Sequence, residues 1–144
     1  GFIVQFKFLG TVFFVVALVQ VIAGCGTTGS VQSMGVAETG AADVSKLVAG
    51  RAQQRWNALL KADMEAAYQF ISPGGRSLMT LEQYRPRVNT SFWRGAKVSE
   101  ASCGTETCEV TVQVDVLVQG VKFTNPIKET WILDASKWWF VYAG

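Results

Sequence analysis

Few side chains in this sequence could do chemistry, and their types restrict what that chemistry could be. The 144-residue chain contains no histidine, the commonest general base and the commonest metal ligand in proteins. Two strand carboxylates, Asp115 and Glu129, are the remaining acid or base candidates. A carboxylate acts as a general base near neutral pH only when it is buried, and their spacing gives no sign of burial. We therefore expect both to be solvated strand residues, with no catalytic residue and no cofactor.

Cys25 follows a long apolar stretch near the start of the chain. Residues 8–23 (FLGTVFFVVALVQVIA) carry no charge, follow Lys7 and end in small residues, which is the order of an export signal. As a helix the stretch would span roughly 24 Å, less than a bilayer core of about 30 Å. This length favours a cleaved signal, while a retained membrane helix stays open. Because no basic residue lies between Lys7 and Lys46, both alternatives place the rest of the chain outside the cytoplasm.

The four residues Ile22, Ala23, Gly24 and Cys25 resemble the lipobox of bacterial lipoproteins. In that family the cysteine thiol is lipidated and becomes the new N-terminus, so the resemblance implies lipid attachment, palmitate included, at Cys25. The residue after Cys25 is Gly26 and not the aspartate that acts as a retention signal in such lipoproteins. By the same resemblance this implies the outer membrane, with the domain in the periplasm, whereas retention of residues 1–24 would imply the inner membrane.

Cys103 and Cys108 flank a short turn at the predicted tip of a hairpin. A close, even pair in an exported protein predicts a disulfide bond, worth about 2 kcal/mol because the closed loop is short. A zinc site is the alternative. Two thiolates without histidine do not complete tetrahedral coordination, so we expect a disulfide and no metal.

Helical periodicity begins after a polar segment. Residues 26–42 (GTTGSVQSMGVAETGAA) are small, polar and rich in glycine, which predicts a flexible tether. Asp43 can cap a helix whose apolar residues recur every three or four positions. We expect this helix to break near Asp63 and to end at residues 72–75 (SPGG). Residues 80–83 (TLEQ) form a capping box, which predicts a further short helix.

The second half of the chain alternates with the period of a β-strand. Valine occupies every second position from Val110 to Val118, which predicts a long strand with one buried face. Further strands are expected over residues 96–103, 127–133 and 138–142, joined by short turns. The predicted fold class is α+β, with N-terminal helices packed on a curved four-stranded antiparallel sheet.

This order of elements resembles the cone-shaped nuclear-transport-factor-2-like fold, also called SnoaL-like. Three stretches are similar to its first helix and last two strands: 55–63 (RWNALLKAD), 129–131 (ETW) and 137–139 (KWW). The resemblance covers residues 44–143. It implies a domain over residues 43–144, preceded by a signal or anchor (1–24) and a lipidation site with tether (25–42). Since this fold hosts enzymes, binding modules and assembly subunits alike, it implies no function by itself.

Aromatic side chains are dense in the predicted domain, and core packing explains most of them. Alternation in the last strand sends Trp138, Phe140 and Tyr142 to one face and Trp139 to the other. A ligand pocket or docking surface would use the best placed of the rings, which are Trp56, Tyr68, Trp131 and Trp139. Of these, Trp139 is expected to be the most exposed.

Together these features favour a membrane-anchored envelope lipoprotein whose periplasmic domain is a non-catalytic binding or assembly module. We expect contacts with membrane lipid through Cys25 or residues 1–24, and with a protein partner at the membrane. The net charge of +2 without a clustered basic segment argues against nucleic acid. Two alternatives stay open. One is an accessory single-helix subunit of an integral membrane complex with an uncleaved anchor, and the other is a small SnoaL-like enzyme or binder of an apolar ligand.

Overall fold

A computed structural model of the chain describes the backbone from residue 34 to residue 144 and the side chains from residue 40. The predicted signal or anchor, the lipidation site at Cys25 and the first part of the tether lie outside the described residues. Within the described part, no helix combines the length and the apolar character needed to cross a bilayer.

The longest element is helix α1, Met34–Leu60. It begins before the expected start at Asp43, so residues 34–42 are helical and not part of an irregular tether. Its buried residues follow the predicted spacing of three and four, and they are Val48, Ala52, Arg55, Trp56 and Leu59. One face of α1 therefore packs on the sheet from Val48 onward.

The predicted break near Asp63 is confirmed. Ala62 adopts a left-handed conformation with φ of 56°, and the amide of Asp63 donates to the carbonyl of Ala58 over 2.9 Å. These are the features of a Schellman motif that ends α1. The carboxylate of Asp63 then accepts from the amide of Ala66 and caps helix α2, Met64–Tyr68.

The expected stop at residues 72–75 begins another helix. Ser72 accepts a hydrogen bond from the amide of Gly75, and Pro73 occupies the first helical position of α3, Pro73–Leu78. The capping box of Thr80 and Gln83 is confirmed at the start of α4, Leu81–Tyr84. A single 3₁₀ turn, Arg85–Arg87, follows α4.

Four antiparallel strands form a meander in the order β1-β2-β3-β4. They are β1, Trp93–Cys103, β2, Thr107–Val118, β3, Val121–Asp134, and β4, Lys137–Phe140. The helices pack on one face of this sheet, so the predicted α+β class is confirmed. The core contains the alternate valines of β2 together with Trp131, Trp138 and Phe140.

Strand β3 is much longer than the expected 127–133, because Pro126 does not end it. Pro126 lies opposite Gln113 of β2, while β4 pairs only with Trp131–Asp134. One side of β3 is therefore free of a neighbouring strand at Pro126, where a missing amide hydrogen costs no ladder hydrogen bond.

The edge of β1 is covered by a side chain of α1. The amide group of Gln53 donates to the carbonyl of Ala96 over 3.0 Å and accepts from the amide of Val98 over 2.9 Å. Gln53 thus occupies the position that a peptide group of a fifth strand would take, which protects an otherwise open edge. At the end of this strand, the predicted disulfide joins Cys103 and Cys108, which face each other in the register of β1 and β2.

Ala62 offers a test of the helix ending. An L-residue in the left-handed region costs roughly 1–2 kcal/mol, so Ala62→Gly should raise the free energy of unfolding by about 1 kcal/mol in urea denaturation. Ala49→Gly, inside α1, is the matched control and should lower it by about 1 kcal/mol. Equal losses in the two variants would contradict the assigned motif.

Candidate ligand-binding cavity

A buried ion pair connects the helical layer to the sheet. Nη1 of Arg55 on α1 lies 2.5 Å from Oε1 of Glu129 on β3, and each residue is only 5% exposed. The expectation that Glu129 is solvated is therefore wrong. Glu129 lies two residues from both Ile127 and Trp131, so all three side chains are on the inner face of β3. Because side chains alternate along a strand, that of Glu129 points toward the helices.

Two indole groups complete the surroundings of the Glu129 carboxylate. Nε1 of Trp56 donates to Oε1 over 2.7 Å, and Nε1 of Trp131 donates to Oε2 over 3.1 Å. With Arg55, three donors from α1 and β3 converge on one carboxylate. This arrangement fixes the positions of both rings and satisfies the donors that burial would otherwise leave unpaired.

The Arg55 guanidinium also contacts aromatic rings. Its Cζ atom lies 3.7 Å from the centre of the Phe140 ring on β4, a close cation–π arrangement. Nε of Arg55 and the hydroxyl of Tyr84 are buried without a hydrogen-bond partner among the described residues. Burial raises the pKa of Tyr84, and the positive charge of Arg55 opposes that rise. Tyr84 is therefore held as a neutral phenol.

A cavity of about 370 Å³ lies beside this ion pair. It is lined by the helical layer, the middle of β3, and the segments before β1 and after β4. Most of its lining is apolar or aromatic, and the side chains that contribute include Arg55, Trp56, Val88, Trp93, Ile127, Glu129, Phe140 and Tyr142. Trp56 and Trp93 pack against each other with ring centres 4.9 Å apart and planes inclined by 50°, and they form one wall.

Part of the cavity lining, at the 3₁₀ turn and just after it, is exposed to solvent. Arg87 and Asn89 belong to its lining and are exposed, so they lie where the cavity meets solvent. A ligand entering there would pass a cationic and an amide side chain before it reaches the aromatic interior. The arrangement can hold a small, largely apolar molecule and orient its polar end.

Of the four aromatic residues predicted for a pocket or docking surface, only Trp56 lines this cavity. Trp131 is fully buried in the core. Tyr68 is half-buried, and its hydroxyl donates to the carbonyl of Met79 over 2.8 Å, which is a structural role. Trp139 is also half-buried and lies outside the cavity lining, on the opposite face of β4 from Trp138 and Phe140, as alternation predicts.

The structure does not bring the two candidate carboxylates together. Asp115 is exposed on the outer face of β2, where it accepts a hydrogen bond from the Thr124 hydroxyl over 2.7 Å. Glu129 lies on the inner face, as described above. Among the described residues, no three side chains of the metal-binding types cluster closely enough to hold an ion.

Sequence reasoning missed the ion pair, and of the residues that line the cavity it named only Trp56 as part of a pocket. The pair could have been found from the positions of its two residues within their elements. Arg55 lies on the apolar face of α1, and Glu129 occupies an inward position of β3. A charged residue at a core position of each layer indicates a buried partner, because an unpaired buried charge is costly. The cavity depends on how the layers are spaced, which no local pattern encodes.

Solved structures show that the fold is shared with other proteins. A SEC-C motif containing protein from Psychrobacter arcticus has a TM-score of 0.51 and 12% identity, with 62% of this chain and 55% of that chain covered. A second, from Rhodopseudomonas palustris, has a TM-score of 0.50 and 14% identity, with 61% and 70% covered. At these identities the likeness concerns the fold alone, and this chain spans only about half of the first structure.

A third structure, named as an NTF2-like transpeptidase from Campylobacter jejuni, has a TM-score of 0.45 and 10% identity, with 65% of this chain and 95% of that chain covered. That TM-score is too low for any inference. No protein-family model matches the chain, and no curated protein is similar to it in sequence.

The ion pair can be tested by a double-mutant cycle. Arg55→Met and Glu129→Met should each lower the free energy of unfolding by about 3–5 kcal/mol, because each leaves an uncompensated buried charge. Arg55→Met/Glu129→Met should be more stable than either single variant in urea denaturation. Asp115→Asn is the control for an exposed carboxylate and should change stability by less than about 0.5 kcal/mol. Additive losses in the double variant would contradict the coupling.

Proposed function

We propose that the chain is a membrane-anchored envelope lipoprotein whose domain is a non-catalytic module that binds a small, largely apolar ligand. The observation that carries this proposal is the cavity beside Arg55 and Glu129. Its volume of about 370 Å³ falls within the range of about 300–1,000 Å³ typical of ligand sites.

The composition of the cavity lining supports binding. Aromatic walls from Trp56, Trp93 and Tyr142 offer a large apolar contact area, and rigid rings lose little conformational freedom when a ligand binds. The polar residues of the lining are exposed at its margin and buried in its interior; they are Arg87, Asn89, Lys128 and Thr130 at the margin, and Arg55 and Glu129 inside. A ligand with an apolar body and one polar end fits this distribution.

The engagement of Glu129 supports a non-catalytic role. Its two oxygens accept from one guanidinium and two indoles, so this carboxylate is used to hold the structure together. Asp115, the other acidic candidate, lies on the outer face of the sheet. The alternative of a SnoaL-like enzyme would require an acid or base in the cavity other than this engaged carboxylate.

The domain is proposed to be of the nuclear-transport-factor-2-like type. Helices come first in the chain, a four-stranded antiparallel meander follows, and the cavity lies between the two layers. This is the arrangement that the sequence resemblance over residues 44–143 implies. The fold itself hosts many functions, so the ligand-binding proposal depends on the cavity.

The anchor is proposed from the sequence alone. Lipidation of Cys25 would place the domain on the periplasmic side of the outer membrane, while an uncleaved helix over residues 1–24 would make the chain an accessory subunit in the inner membrane. A protein partner at the membrane also stays a prediction. The tip of the β2–β3 hairpin is a suitable surface for one, because Val121 and Phe123 are 63% and 43% exposed.

Ligand binding can be tested with anilinonaphthalene sulfonate, whose aromatic body and single anionic group match the cavity. Ile127→Trp would fill the cavity and should weaken the Kd of the probe by roughly tenfold or more. Ile132→Trp is the matched control, since Ile132 lies on the outer face of the same strand and should leave the Kd within about twofold. Equal binding by the two variants would contradict a site in the cavity.

The anchor can be tested by intact-mass analysis of the protein extracted from native membranes. A chain that starts at Cys25 and carries acyl groups is the expected species, and Cys25→Ser should yield a precursor that retains residues 1–24. A wild-type chain with residues 1–24 intact and Cys25 unmodified would exclude the lipoprotein and support the accessory subunit.

A further inference from the structure

Three cations surround the exposed side of Trp139. Nζ of Lys137 lies 4.6 Å from the centre of its ring, Cζ of Arg76 lies 5.4 Å away, and Cζ of Arg51 lies 5.9 Å away. The residues come from β4, α3 and α1, so the tertiary fold assembles the group. We call these four residues the Trp139 patch.

The charges of this patch have no carboxylate partner among the described residues. The pair between Arg55 and Glu129 is the one ion pair within the described range. Nε of Arg51 donates to the carbonyl of Trp138, and Nη1 of Arg76 donates to Oε1 of Gln69. Both bonds are to neutral acceptors. Asp134 lies opposite Lys137 at the β3–β4 turn, and its carbonyl accepts from Nε1 of Trp139 over 3.2 Å, so three positive charges share this surface with one carboxylate that pairs with none of them.

The patch lies at the end of the sheet next to the N-terminal half of α1. Arg51 contacts β4, and the turn before it in α1, Ser45–Ala49, lies beside residues 98–101 near the disulfide end of β1. The same end of the sheet contains the β3–β4 turn that precedes Lys137. The N-terminal half of α1, which follows the segment that carries Cys25 in the sequence, therefore lies at the same end of the sheet as the patch.

We propose that the Trp139 patch contacts the anionic phospholipid headgroups of the membrane to which the chain is anchored. Each cation near an anionic bilayer surface strengthens binding by about fivefold, and a tryptophan ring is well suited to the headgroup region because it is apolar with one polar edge. This inference depends on the proposed anchor, which would hold the patch close to the bilayer. It does not depend on the cavity.

The opposite end of β3 lacks this combination. Arg94 and Lys122 line a pocket of about 440 Å³ there together with Asp115, so two cations share that surface with one carboxylate, and the lining contains no tryptophan. Lys122 and Lys137 are both exposed and lie at opposite ends of the sheet. Lys122 is thus an internal reference for any measurement on Lys137.

Amine footprinting of the full chain in vesicles tests the proposal. Protein floated with neutral phosphatidylcholine vesicles is compared with protein floated with vesicles that contain phosphatidylglycerol, and acylation of each lysine is followed by mass spectrometry. Lys137 should be modified about fivefold more slowly in the anionic vesicles, while the rate at Lys122 stays constant. High salt should remove the protection, because it screens the attraction.

Two variants, each of which removes one positive charge and one aromatic ring, complete the experiment. Arg76→Gln/Trp139→Leu should abolish the protection of Lys137, whereas Arg94→Gln/Phe123→Leu, which keeps Lys122 as the reference, should preserve it. Equal rates at Lys137 in the two kinds of vesicle, protection that survives Arg76→Gln/Trp139→Leu, or protection that requires an added acidic protein would each overturn the proposal. Failure of the anchor would be distinct, since the protein would then not float with either kind of vesicle.

Discussion

The ion pair between Arg55 and Glu129 is the interaction on which the rest of the described domain depends. Removing two charges from water is costly, and their attraction compensates only with good geometry and further hydrogen bonds. Here those bonds come from the indoles of Trp56 and Trp131, and the Phe140 ring covers the guanidinium. Elements α1, β3 and β4 therefore meet at one point, and their relative positions are fixed by directional contacts as well as by apolar packing.

This constraint also explains why a cavity persists in a domain so rich in aromatic residues. Trp56 is held by its bond to Glu129, so its ring cannot move to fill the space between the layers, and Trp93 packs against it from β1 at a tilted angle. Rings held in this way form walls that are already in place before a ligand arrives. Such preorganisation lowers the cost of binding, which is what a module without catalytic groups requires.

The elements were largely predictable from the sequence, and the site was not. Local periodicity and capping located α1, the break at Asp63, the capping box of α4 and the alternation of β2, because these depend on neighbours a few positions apart. The ion pair joins residues separated by 74 positions, beyond any local pattern. The start of β3 was predicted too late for a similar reason, since a strand can include Pro126 only where no neighbouring strand needs its amide hydrogen.

Strand β4 shows how one short element serves two surfaces. Alternation directs Phe140 to the cavity and the adjacent Trp139 to the cationic patch. An edge strand this short would be weakly held by β3 alone. Its other edge is closed by backbone bonds with the segment before α3, in which the amide of Phe140 donates to Phe70 and the amide of Ser72 donates to Phe140. Because β4 is held on both edges, the ring in the cavity and the ring in the patch keep a fixed relation to each other.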